Sequence, residues 1–169
     1  GSFQGTNQGS SHAAFVQDFA TTEKLVTETG AKVLETNLSC PNEGTNQLVC
    51  FNVDTTERIV HAIKAAVPDR PMIVKLAYFE NVNKLTTFVK RNGPLVDGIS
   101  AINTIPAPVV DDQGNQALPG EGRLVSGICG HAIRWAGIEM VERLAKLRSE
   151  LNLSYHILGI GGVMSPAAY

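Results

Sequence analysis

Short β-rich runs alternate with helix-patterned stretches from one end of the 169 residues to the other. Such alternation is satisfied by parallel strands joined through helical crossovers. Phe15, Val16, Phe19, Leu25 and Val26 fall on one helical face that stops at Gly30, a residue suited to the left-handed conformation past a helix end. A β-rich run over residues 32–38 follows and closes in the loop Ser39-Cys40-Pro41-Asn42-Glu43-Gly44. Asp54 or Thr55 is a candidate cap for a second helix, with Ile59, Ile63 and Ala66 or Val67 on one side and Pro68 as its stop. Residues 71–77 read as a buried strand, Val82, Leu85, Phe88 and Val89 as the face of a third helix, and residues 97–104 as another strand. Gly130 opens a long helix carrying Ile133, Met140, Leu144, Leu147 and Leu151. Residues 155–160 form the final strand, which runs into Gly161-Gly162, with Ser165-Pro166 as the opening positions of one more helix.

Two architectures accommodate this order, a doubly wound open sheet or part of an eight-stranded barrel. A whole barrel takes about 250 residues, and about four and a half βα units are present here. The chain opens in a polar Gly/Ser/Gln loop and stops in a first helical turn, so the expectation is a piece of a longer protein. Its hydrophobic content of 43% supplies a core and excludes a disordered chain. A net charge of −2 offers no basic field for nucleic acid. No apolar run approaches the roughly 20 residues that cross a bilayer, and residues 1–8 lack the basic-then-apolar character of a signal peptide. Cys40, Cys50 and Cys129 are an odd number with no CxxC pair, which is read as free thiols in a reducing compartment.

The connection over residues 104–130 far exceeds the usual span of about two to six residues between a strand and its helix. Within it, Val109-Val110 and Gln116-Ala117-Leu118 flank Asp111-Asp112-Gln113-Gly114-Asn115 as a small hairpin. Long structured loops after barrel strands shape substrate pockets, the competing reading being a decorative insertion. The unusual residues also converge. Asn37, Cys40 and Asn42 follow one strand, Lys75 lies in the next, Asn103 and Thr104 end a third, and Gly159, Gly161 and Gly162 end the last. Parallel strands put all of them at one C-terminal edge, where sites form.

Taken singly, each residue has a bland reading beside its functional one. Cys40 is a thiol that can exchange a proton near neutral pH, or a small buried hydrophobe. Asn37 and Asn42 bring carboxamides able to donate and accept toward a cyclic ligand with alternating C=O and N–H groups, although Asn is also a turn residue. Lys75 interrupts a buried run, either facing an anion or electron-accepting ring or snorkelling to solvent. The glycines of Ser126-Gly127-Ile128-Cys129-Gly130 and Gly159-Ile160-Gly161-Gly162 precede helices and can bring backbone N–H groups to a phosphate. No P-loop is present, and the second run lacks the final glycine of a dinucleotide fingerprint. His12, His61, His131 and His156 are scattered, and Trp135 and Met140 are assigned to helix packing.

Together these segments resemble a known family. Asn37-Leu38-Ser39-Cys40-Pro41-Asn42 resembles the signature of the dihydroorotate dehydrogenases, especially their cysteine-bearing class 1 members. Gln47-Leu48, Val74-Lys75-Leu76 with Tyr78-Phe79, Ile102-Asn103-Thr104, Ser126-Gly127 and Gly161-Gly162 keep the family's order and spacing. The resemblance covers essentially the whole chain and corresponds to the middle and late part of the family's barrel.

The resemblance implies a partial TIM (β/α)8 barrel, a single domain over residues 1–169 lacking N-terminal and C-terminal strands. It implies a cytoplasmic, FMN-dependent oxidation of dihydroorotate to orotate in pyrimidine biosynthesis. Cys40 would be the base for the C5 proton while a hydride passes from C6 to flavin N5. Asn37, Asn42, Asn103 and Thr104 would hold the substrate. Lys75, Asn103, Ser126, Gly127, Gly161 and Gly162 would hold FMN, Lys75 favouring the anionic reduced ring. No metal is implied. The acceptor would be fumarate, NAD through a partner subunit, or another oxidant, and the full-length protein would be a homodimer. Thr104 stands where the fumarate-using subclass carries serine, and Ala77 where it carries proline. The neighbouring alternatives are a dihydropyrimidine dehydrogenase-like reduction of uracil or thymine and a non-catalytic flavin- or phosphate-binding half-barrel.

Overall fold

The computed structural model describes residues 1–6, 11–40 and 48–165. Among these the strands and helices run β1 (Ser2–Phe3), α1 (His12–Glu28), β2 (Leu34–Asn37), α2 (Val53–Ala66), β3 (Met72–Leu76), α3 (Val82–Asn92), β4 (Gly98–Ala101), β5 (Ile105–Pro108), β6 (Val125–Ile128), α4 (Arg134–Glu150) and β7 (His156–Gly159). Five strands form one sheet in the order β1-β2-β3-β4-β7, every neighbouring pair parallel. Spatial order therefore equals chain order, with one helix in each connection. Right-handed crossovers without a reversal put every helix on the same face, which is the winding of a barrel wall. A doubly wound sheet reverses at a switch point, and none is present among the described strands.

The start of the chain differs from expectation. In place of a polar loop, Ser2 and Phe3 pair with Glu35 and Thr36 of β2. A strand this short leaves no periodicity to read, and Phe3 is its one buried anchor.

Alternation along the strands separates two environments. Leu34, Thr36, Met72, Val74 and Leu76 are buried toward the helices, whereas Glu35, Asn37, Ile73 and Lys75 are half-buried on the opposite, lumenal face. The helix layer meets the sheet with Phe15 and Phe19 of α1, Ile59 and Ile63 of α2, Leu85, Phe88 and Val89 of α3, and Met140, Leu144 and Leu147 of α4, all buried. Leu25 and Val82, expected on these faces, are more than half or about half exposed at 57% and 50%. Each lies near a helix end, where the apolar stripe has rotated off the sheet.

Capping fixes where the helices start. Ser11 Oγ accepts from Ala14 N at 3.3 Å and Asn81 Oδ1 from Lys84 N at 3.0 Å. The second helix is capped by Asn52, whose Oδ1 accepts from Thr55 N at 3.0 Å, and not by Asp54 or Thr55. A short 3-10 turn over Val49–Phe51 brings Asn52 into that role. Gly30 does take a left-handed conformation, φ +87°, just past α1.

The long connection between β4 and α4 holds the expected small hairpin, with Val110 bridged to Gln116 and Asp111 N donating to Asn115 O at 2.9 Å. It sits at the tip of a larger ribbon in which β5 and β6 pair antiparallel from Ile105↔Ile128 to Pro108↔Val125. Ser126 and Gly127 thus lie in a strand, and only Cys129 and Gly130 form the turn into the helix. That helix begins as a 3-10 turn over Gly130–Ile133 before α4. Of the opening Ser165-Pro166 positions, Pro166 lies outside the described residues.

Candidate active site

β2, β3 and β4 end side by side, in register Asn37↔Lys75↔Ser100, and their C-terminal loops meet above the lumen. Asn37 Oδ1 accepts from Ser39 N at 3.1 Å, Ser39 Oγ at 3.2 Å and Asn103 Nδ2 at 3.1 Å. Asn103 Nδ2 also lies 3.1 Å from Ser39 O and 3.0 Å from Ser39 Oγ, while its Oδ1 accepts from Thr104 N at 2.9 Å. Ser39 Oγ reaches Lys75 O at 3.3 Å. Asn37 and Asn103, far apart in sequence, are therefore one amide cluster organised by Ser39. The motif contains Ser39, but its central place could not be read without knowing that the loop after β4 reaches over β3 to the end of β2.

Cys40 follows this cluster directly and is half-buried. Asn42, the other substrate residue expected from the motif, lies outside the described residues. The chain re-enters description at Leu48, and Cys50 N donates to Leu38 O at 2.9 Å, so the two ends of the intervening loop are held to the same strand end. Cys50 itself is fully buried, and burial pushes its thiol up to about 12. Cys129 is exposed at the start of the final helical segment. Of the three thiols, only Cys40 combines partial access with the amide cluster.

Lys75 is half-buried on the lumenal face, and its ammonium makes no hydrogen bond or ion pair among the described residues. An unpaired lysine at such depth fits an anionic or electron-accepting ring above it. The loop after β3 is fixed from outside. Tyr78 Oη donates to Glu139 Oε2 at 2.7 Å, Arg143 Nη1 donates to Phe79 O at 2.7 Å, and Arg143 also pairs with Glu139. Trp135, expected inside the helix packing, is 57% exposed and meets Tyr78 edge to face at 5.3 Å. Tyr78 and Phe79 then line a cavity of about 370 Å³ with Phe51, Lys84, Thr104 and Pro106, which opens beside the cluster.

The ribbon reaches the same place. A Cβ on Gly127 would fall against Thr104, 2.8 Å from its Cβ, so only glycine lets β6 pass this close to the site. Ser126, its neighbour, is half-buried. At the last strand, Gly161 and Gly162 take φ +119° and +71°. A Cβ on Gly162 would lie 2.6 Å from Arg134 Cβ and 2.9 Å from Gly130 O, so this turn is pressed onto the N-terminal end of the final helix. A glycine turn without side chains, set against the start of that helix beside Arg134, suits a phosphate. The residues present thus fit a flavin mononucleotide: a lysine for its ring on one strand and a backbone cradle for its phosphate two strands away. Arg134 carried no motif and was missed in the sequence. Among the described residues, no group of three His, Cys, Asp or Glu side chains is placed to hold a metal.

Comparisons with known proteins give the family and the fold. The family model described as dihydroorotate dehydrogenase matches residues 3–167. A dihydroorotate dehydrogenase of Dictyostelium discoideum is 30% identical over 165 residues, covering 95% of this chain and 45% of that protein. The catalytic subunit of a dihydroorotate dehydrogenase B (NAD(+)) from Alkaliphilus metalliredigens is 30% identical over 153 residues, covering 89% and 47%. Among solved structures, a DHODH of Eimeria tenella in complex with ferulenol superposes with a TM-score of 0.73 at 16% identity, covering 97% of this chain and 47% of that one. The arc of strands is thus a partial TIM barrel, and the chain spans about half the length of the relatives it matches.

Proposed function

Since the chain belongs to the dihydroorotate dehydrogenase family over residues 3–167, we propose that it forms the central arc of an FMN-dependent barrel that oxidises dihydroorotate to orotate in pyrimidine biosynthesis. The observation that carries this reading is Lys75, unpaired on the lumenal face and in register with Asn37 of the amide cluster. In this reading Asn37, Asn103 and Thr104, with Asn42 from the adjoining loop, hold the pyrimidine ring and its carboxylate. Their amides match alternating carbonyl and N–H groups. Cys40 takes the proton from C5, since its loop leaves the strand beside that cluster and its thiol is partly accessible. FMN, held by these residues, would supply the two-electron, hydride-accepting chemistry for C6 of the substrate. Lys75 places positive charge where the reduced ring is anionic. Gly161, Gly162 and the start of the final helix orient the phosphate, with Ser126 and Gly127 beside the ribityl side.

The electrons would then pass to fumarate or, through a partner subunit, to NAD; relatives named for each, both 30% identical, support either route. Anaerobic mixing of the full-length, flavin-bearing chain with dihydroorotate, and separately with dihydrouracil, tests the reading. Loss of visible flavin absorbance with dihydroorotate alone is expected. Bleaching by dihydrouracil instead would transfer the site to uracil and thymine chemistry, and flavin that bleaches with neither would leave a binding half-barrel.

A further inference from the structure

The lumenal face carries a second ionised group that the reaction above does not use. Glu35 lies one alternation below Asn37 on β2, and both of its carboxylate oxygens are engaged. Oε1 accepts from Ser2 Oγ and Oε2 from Ser100 Oγ, each at 2.8 Å. Ser100 is wholly buried, on β4, two strands away. Glu35 is in register with Ile73, whereas Ser100 is in register with Lys75. To reach Ser100, the Glu35 side chain must cross β3 on its lumenal side between Ile73 and Lys75. With adjacent strands about 4.8 Å apart, that crossing runs directly beneath the Lys75 stem. The other residues registered on this face are Ser2, Asn37, Ile73, Gly98, Ser100, His156 and Leu158, so Glu35 is the one carboxylate among these described positions.

We propose that Glu35 is a counter-charge for Lys75. Its carboxylate, clamped by the two serines, holds a negative charge under the lysine and moderates the positive field that reaches the ring bound there. The proposal rests on the FMN reading above. Its sign is definite: a cation favours the anionic reduced ring, and an anion beneath that cation offsets it. Removing the negative charge makes the bound flavin easier to reduce.

The test is the reduction potential of flavin in the full-length holoprotein, measured without substrate. Glu35→Gln keeps the shape and both serine contacts, because hydroxyls donate or accept equally well. It is expected to raise the potential by about a tenfold change in the reduction equilibrium, about 30 mV for a two-electron couple. In a Lys75→Ala background the same substitution should produce a clearly smaller rise. An unchanged potential in Glu35→Gln overturns the proposal, as does an equal rise with and without Lys75, which would make Glu35 act on the ring directly. Should Glu35→Gln lose flavin, Glu35→Asp carries the same test: it keeps the charge but draws it back from Lys75, so a smaller rise is expected and no rise is fatal. A parent chain that binds no flavin overturns the functional reading first and this one with it.

Discussion

Two thiols close in sequence occupy opposite environments. Burial lifts Cys50 to about 12 and removes it from proton transfer near neutral pH, while Cys40 sits half-buried beside Ser39 and the two asparagines. A serine at position 40 has a hydroxyl far too weakly acidic to cycle between forms at pH 7. Cys40→Ser should therefore slow flavin reduction by dihydroorotate by about 100-fold or more while flavin stays bound. Cys50→Ala should leave the rate unchanged. Anaerobic stopped-flow on the full-length variants decides it, and equal rates for Cys40→Ser and parent would remove Cys40 as the base. A second residue sets a pH dependence on folding. Glu23 of α1 is fully buried against the sheet, where Thr36 Oγ1 donates to Oε2 at 3.4 Å and Oε1 has no partner. Burial raises its pKa from 4.5 to about 7, against smaller opposing effects of the Thr36 hydrogen bond and Lys64. The folded-state value lies above the unfolded one, so the stability contributed by the neutral form is complete below pH 4.5. It declines as pH rises from there to about 7, by on the order of 3 kcal/mol for a shift of this size. Urea unfolding at pH 5 and pH 8 should show that loss in the parent and a much smaller one in Glu23→Gln.

At the scale of elements, the second helix shows what a local signal can decide. Asn52 caps it with a 3.0 Å bond to Thr55 N, and removal of an N-cap side chain costs about 1 kcal/mol. Asn52→Ala should lower the unfolding free energy by that amount, and Asp54→Ala by less, since Asp54 contributes first-turn charge and a solvent-exposed ion pair with Arg91. Comparable losses in thermal or urea unfolding would contradict the cap assignment. The sequence holds three good capping residues in a row of four, Asn52, Asp54 and Thr55, and the choice among them depended on the 3-10 turn before, which has no pattern of its own. The buried faces of the four helices and the central strands β2, β3 and β4 were legible because their periods are long enough to register. The ribbon was half legible: Gly114 and its flanking residues marked the tip, but Pro106 and Pro108 argue against a strand unless it is an edge, which β5 is. In the site, Cys40 and the asparagines were visible through the motif. The contact between Asn37 and Asn103 was not, because it exists only once β2, β3 and β4 are ordered side by side.

The whole molecule is an arc, and an arc has two ends. β1 and β7 each pair with one neighbour among the described strands, leaving a row of backbone donors and acceptors open at either side. The β7 end is also apolar. Ile138 and Val141 of α4 with Ile157, Leu158, Ile160 and Val163 on and after β7 line a groove of about 650 Å³. Ile138, Leu158, Ile160 and Val163 are each more than a third exposed. In a closed barrel this is where the next strand and helix would pack, covering the edge and the groove together. The 169-residue chain alone should therefore associate in a concentration-dependent way and bind a hydrophobic dye such as ANS. A chain extended to the length of its relatives should do neither to the same degree. Sedimentation and dye fluorescence on the two chains at matched concentration measure this. If the short chain is monomeric and dye-silent, some contact outside the described residues closes that edge. The same comparison bears on chemistry, because the proposed phosphate site at Gly161 and Gly162 lies on the open side of the arc, while Lys75 and the amide cluster lie in its interior. An arc that breathes at β7 would loosen the phosphate before it disturbed the ring, so flavin retention should rise on extension more than the pyrimidine cluster changes.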